Sequence, residues 1–322
     1  MKHALLLALL ACSTAPVVAR LPAVASLAGK KPFLLAVLSR DGYAMPFAAF
    51  DGKHWKEPWP AGRAAEMPVS IDDVDRDWWG IGQRPQRMTL WSDGARVGDV
   101  TLVGLAMVKS LCSVRLGLKT DYKPSQLAPL RTKAPYPKDG LLVSGDVPVE
   151  RIQIVEPASA EWNRALILIT DRFNKLETAA TRAFTDWRHP FDERRRKAQP
   201  LTLEAMYRAP NHKAGWTTYY LEVVRQYPAR PIDAGCGVAT VGGGWLHVGP
   251  KDEIKMELAA RVTYCDRKGV SVMLPLGVIR IEDRTFWVAQ YSGYEYENYS
   301  VIEPDINDPR PVARFHAGSC PE

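Results

Sequence analysis

Short apolar runs, each closed by a turn dipeptide, set the rhythm of most of this chain. Phe33 to Leu38 is unbroken apolar, and Arg40-Asp41-Gly42 follows as a hairpin turn, since glycine takes the positive φ that tight turns require. Tyr43 to Phe50 returns, Asp51-Gly52 turns again, and Trp55 opens the next segment. Met88 to Trp91, the turn at Asp93-Gly94 and residues 99–108 repeat the pattern, which predicts an antiparallel meander. Residues 119–138 are rich in Pro and Lys without periodicity and read as a surface connection; residues 141–143 and 150–155 read as short strands.

The period then changes. From Ser159, a plausible N-cap, Trp162, Leu166, Ile169, Phe173, Leu176, Ala180, Phe184 and Trp187 recur at three- and four-residue steps, predicting an amphipathic helix that ends before Pro190. Thr202 followed by residues 203–208 suggests a further helical turn or two. Strand signals resume at 217–224, 244–248, 254–265, 270–281 and 285–291, the last two facing each other across Glu282-Asp283. The expected fold is α+β and β-dominated, with antiparallel meanders before and after a central amphipathic helical segment. The chain divides into residues 1–19, a signal peptide; residues 20–140, a β-rich region; and residues 141–322, an α+β region with the central helix and a C-terminal antiparallel sheet, separate from or continuous with the region before it.

The signal reading rests on Lys2 and His3, the apolar run Ala4 to Ala11, and small residues through Ala19. Leu9-Leu10-Ala11-Cys12 also resembles a lipobox, which would anchor the protein through a lipidated Cys12 rather than release it into the periplasm or the exterior. No apolar run approaches the roughly 20 residues needed to span a bilayer as a helix.

Composition changes this picture little. The 322 residues are 46% apolar and 24% charged, as in ordinary globular proteins. A net charge of +6 is mild, and its one dense run, Arg194-Arg195-Arg196-Lys197, lacks the interleaved aromatics of a nucleic-acid surface and reads as a solvated helix face. Setting Cys12 aside, four of the five cysteines remain, an even number suited to an oxidising compartment. Metal-type cysteine spacing is absent from the sequence, and four cysteines allow three connectivities; the expected one is Cys236–Cys265, near the ends of segments that read as neighbouring strands, with Cys112–Cys320, which would tie the C-terminal tail back to the body.

The candidate chemistry is sparse. Asp73, Asp75 and Asp77 alternate as calcium ligands do, although Trp78 and Arg84 stand where an EF-hand needs Gly and Glu; an irregular calcium loop and an acidic turn both fit. Gly242-Gly243-Gly244 lacks the residues of a phosphate loop and reads as a bulge. The histidines His54, His189, His212, His247 and His316 are scattered, and no nucleophile elbow is present. Glu222, with Glu295 and Glu297, offers carboxylates of the kind glycoside hydrolysis pairs. Ten tryptophans are many for this length. Trp55, Trp59, Trp78 and Trp79, together with the run Tyr291, Tyr294, Tyr296 and Tyr299, suggest an aromatic platform for a saccharide or a protein. Asn298-Tyr299-Ser300 matches a glycosylation sequon. These features predict an exported, disulfide-bonded, non-catalytic binding or structural protein without a cofactor other than calcium. The alternative is a secreted hydrolase of an envelope polymer.

Overall fold

The computed structural model describes residues 31–60, 68, 70–123, 138–184, 189–228 and 237–320. The signal segment 1–19, Cys12, Trp187 and Cys236 lie outside these residues. Among the described residues the protein is β-dominated, its strands are paired antiparallel, and no helix is long and apolar enough to cross a membrane.

The N-terminal strands are β1 (Phe33–Leu38), β2 (Tyr43–Phe50), β3 (Trp55–Lys56), β4 (Arg87–Ser92), β5 (Ala95–Ser110), β6 (Ser113–Thr120) and β7 (Gly140–Val143). They pair in the order β1-β7-β4-β5-β6-β2, and β1 also pairs with β2, so the sheet closes on itself while β3 extends β2. Closure removes most free edges and surrounds a shared interior, which is why β1 is apolar at every position and buried throughout. Between β3 and β4 lies the short helix α1 (Arg76–Trp79). Its C-cap Gly80 has φ +68°, and a Cβ there would lie 2.6 Å from Ala49 and Pro58, so only glycine fits against the sheet.

A second sheet contains β8 (Gln153–Ile154), β9 (Thr202–Pro210), β10 (Thr217–Gln226), β11 (Val238–Val248) and β12 (Ile254–Tyr264) in the order β12-β11-β10-β9-β8. Helix α2 (Ala160–Ala183) starts where Ser159 Oγ accepts from the Trp162 N–H, and it lays Trp162, Ala165, Ile169 and Phe173 on this sheet. The short helix α3 (Glu193–Lys197) follows. Residues 202–208, expected as helix, form most of β9. The third sheet is a meander of β13 (Val272–Ile281), β14 (Arg284–Ser292), β15 (Tyr296–Glu303) and β16 (Arg310–Ser319).

This third sheet is the middle layer. Alternate residues of β14 point opposite ways: Phe286 and Val288 join the core of the closed sheet, while Trp287 and Ala289 pack against Tyr207, Tyr220 and Trp245 of the second sheet. Burial on both faces explains the continuous apolar run. Pro46, Pro275 and Pro311 sit next to register shifts in their strands, where a missing N–H interrupts the ladder least. The Cys112–Cys320 disulfide ties the β5–β6 turn to the end of β16, alongside hydrogen bonds between Ser113 and Ser319.

Candidate functional site

Strand parity opens a cavity between the second and third sheets. Tyr220, Glu222 and Val224 of β10 face the third sheet, and their cross-strand neighbours on β11 are Trp245, Gly243 and Val241. On β12 the same rows continue to Glu257, Ala259 and Arg261. The row Glu222–Gly243–Ala259 is therefore short of side-chain volume between two bulky rows, and the sheets part there. The resulting cavity holds about 540 Å³, within the range of small-molecule sites. Tyr220, Tyr291, Tyr296, Asn298, Arg261 and Arg314 supply most of its chemistry.

Polar contacts fix several of these groups. Glu222 Oε1 accepts from the Met273 N–H at 2.6 Å, joining the two sheets behind the cavity wall. Tyr296 and Ser271 share a hydrogen bond of 2.5 Å between their hydroxyls. Asn298 Oδ1 lies 3.0 Å from His316 Nδ1. The rings of Tyr220 and Tyr291 meet edge to face at 6.0 Å. Burial, reinforced by the Glu222 charge, pushes the Tyr291 phenol well above its ordinary range, and the Arg314 guanidinium partly opposes that shift. Burial and then the neighbouring Tyr291 raise Tyr220 in the same direction. Both phenols stay protonated at neutral pH, and the two hydroxyls are hydrogen-bonded to each other.

The tryptophans go elsewhere. Trp59 and Trp79 are 2% and 1% exposed, and the Trp59 indole donates to the Leu116 carbonyl at 2.8 Å. Trp55 packs edge-on against Phe33 and Phe286, and Trp78 edge-on against Trp59. Trp59 and Trp79 offer no face to a ligand, while Trp55 and Trp78 are half-buried against the same core, so the four are not gathered into one exposed platform. Tyr299 also points into that core, while Tyr294 is an exposed turn residue.

The acidic loop is occupied by its own backbone. Asp73 accepts from the Ser70 N–H and Asp75 from the Asp77 N–H, as helix caps do, while neighbouring Asp72 pairs with Arg84. Among the described residues, no group of three or more His, Cys, Asp or Glu is placed to hold a metal ion, so Asp73, Asp75 and Asp77 are not brought together as ligands.

Glu222 and Glu297 lie on opposite sides of the third sheet. Glu297, 2% exposed, pairs with Lys138 at 2.8 Å and accepts from Tyr299 on the closed-sheet side. They do not face one another across a cleft. Gly242 to Gly244 sit in mid-strand rather than opening one: a Cβ at Gly242 would lie 2.9 Å from the Phe173 ring, and Gly243 clears the cavity floor. The basic run is not wholly solvated either, because Arg196 is buried beside Glu177 and donates to the Phe191 carbonyl at 2.8 Å. Cys112 and Cys320 are bonded to each other; Cys265 is also disulfide-bonded, to a residue outside those described. Of the cavity groups, Arg261 and Arg314 carry no distinguishing sequence signal, and only the alternation of Tyr296, Asn298 and Ser300 marks one polar strand face. Comparison with protein-family models, with curated proteins and with solved structures finds no match, so the reading of function rests on this geometry.

Proposed function

We propose that this is an exported, non-catalytic binding protein whose inter-sheet cavity takes a saccharide. The observation that carries the reading is the cavity wall, where three tyrosines stand among Asn298, Ser300, Ser271 and two arginines. Sugars are recognised by this combination, since aromatic rings cover the C–H faces and amide, hydroxyl and guanidinium groups meet the hydroxyl edges. Hydrolysis requires two carboxylates flanking the bond, and the separation of Glu222 from Glu297 by a sheet favours binding over turnover. Export is supported by the signal-like residues 1–19 and the bridge Cys112–Cys320. On this reading Cys236 is the partner of Cys265, which a non-reducing peptide map would show as one linked pair.

The test is thermal unfolding of the protein with a panel of neutral and acidic oligosaccharides. A ligand at a hundred times its Kd adds about 2.7 kcal/mol, a shift of a few degrees. The expected result is such a shift for at least one sugar, lost in Tyr296→Ala. A panel that leaves the midpoint unmoved overturns the saccharide reading.

A further inference from the structure

The charge of the cavity wall narrows the ligand class. The only two ionic side chains on that wall, among the described residues, are Arg261 on β12 and Arg314 on β16. They come from the two different sheets and stand beside the row that Gly243 and Ala259 leave open. Elsewhere on or beside the same sheets arginines are closed by carboxylates: Arg267 meets Glu204 through two bonds of 2.6 and 2.8 Å, and Arg284 meets Glu303 the same way. Arg261 and Arg314 have no side-chain ion pair among the described residues. Glu57, the carboxylate nearest to Arg314 in the hydrogen-bond network, accepts from its backbone N–H. Glu222, the acidic group behind the wall, is engaged with the Met273 N–H and covered by Tyr220 and Tyr291.

A guanidinium is planar and presents forked N–H donors that match the two oxygens of an anionic group. One such group from each of two facing sheets gives the cavity two donors suited to a negatively charged ligand, with tyrosine rings alongside for the rest of it. We propose that the cavity selects mono- or disaccharides bearing an anionic group, carboxylate or sulfate, held between Arg261 and Arg314. This rests on the saccharide reading above and adds the ligand's charge to it.

The experiment is calorimetric titration of the disulfide-bonded protein with digalacturonate, with a sulfated disaccharide and with cellobiose, each at low and high salt. At least one anionic sugar binds, cellobiose binds at least about tenfold more weakly, and Arg261→Gln and Arg314→Gln each weaken the anionic sugar at least about tenfold, the loss of one charge-assisted contact. Salt weakens the same complex. Whichever of the two anionic sugars binds more tightly identifies the group. Both arginines are exposed, so their substitution leaves the unliganded melting temperature in place, and Ala259→Leu, at the exposed mouth, blocks the ligand without touching either charge. Equal binding of cellobiose or indifference to both arginine substitutions overturns the inference while sparing the saccharide reading, whereas undiminished binding by Ala259→Leu places the sugar outside the cavity and overturns both. Failure of all three sugars to bind overturns both.

Discussion

His247, 1% exposed on β11, carries its imidazole neutral into the protein interior. Its Nδ1 lies 3.1 Å from the Thr218 hydroxyl, which also accepts from the Asn211 amide at 2.7 Å. Burial lowers its pKa from 6.5 to about 4, with Asp305 opposing and His212 adding to the shift. The unfolded chain therefore takes up the proton first as pH falls. The contribution of this group is complete above pH 6.5 and fades as pH drops towards 4, and it amounts to at most about 3 kcal/mol. Urea unfolding of the protein and of His247→Gln at pH 7 and 4.5 measures this: the variant should lose less stability between the two pH values by about 2 kcal/mol. Equal losses would mean that the imidazole is not held neutral. At this scale the site was half legible. Glu222 and the tyrosine run stand out in the sequence, but Arg261 and Arg314 look like any surface arginines until two sheets bring them to one cavity.

At the scale of elements, α2 is held to its sheet by more than apolar packing. Glu177, 1% exposed on the helix, accepts from Arg225 of β10 at 2.5 Å and from the Tyr227 hydroxyl, and Arg196 lies close by. Glu177→Ala would strand a buried guanidinium and should cost about 3–5 kcal/mol, measured by urea unfolding. Glu177→Ala combined with Arg225→Met should recover much of that loss, and recovery of none of it would assign the cost to packing alone. Strands β1 to β5 and the β13–β14 hairpin were legible because their apolar runs end in Asp-Gly or Glu-Asp turns. Strand β9 shows where this fails. Leu203 pairs with Val223 and Met206 with Leu221, so both face the helix although three residues apart, because a bulge adds one residue between them. A period of three over Leu, Glu, Ala and Met is what a helix would display, and only pairing with β10 decides otherwise. Strand β6 alternates Val114, Leu116 and Leu118 but is interrupted by Gly117, where a Cβ would lie 2.6 Å from Val108. Strand β16 is half polar because Arg310 and Arg314 stay exposed, the latter at the cavity, while Ala313, Phe315 and Ala317 are buried.

For the molecule as a whole, Cys112 and Cys320 close a loop with a sequence separation of 208. A cross-link of that span removes much denatured-state entropy, about 4 kcal/mol or more in the loop-closure account. The double substitution Cys112→Ser with Cys320→Ser should lower unfolding stability by that order in urea titration. An unchanged midpoint would mean that the contacts of β16 with β2, β5 and β6 hold the end in place unaided. The layer that β16 completes lies between the other two, yet β13 to β16 come last in the chain. During synthesis, the closed sheet and the helix-backed sheet each emerge with an apolar inner face that nothing covers until residues 272–319 arrive. A product cut short before that point keeps Tyr207, Tyr220 and Trp245 bare, as an adhesive surface that proteases and chaperones recognise. The covering layer and the cross-link thus depend on one strand, β16: until it is in place neither apolar face is fully hidden and Cys112 has no Cys320 to meet.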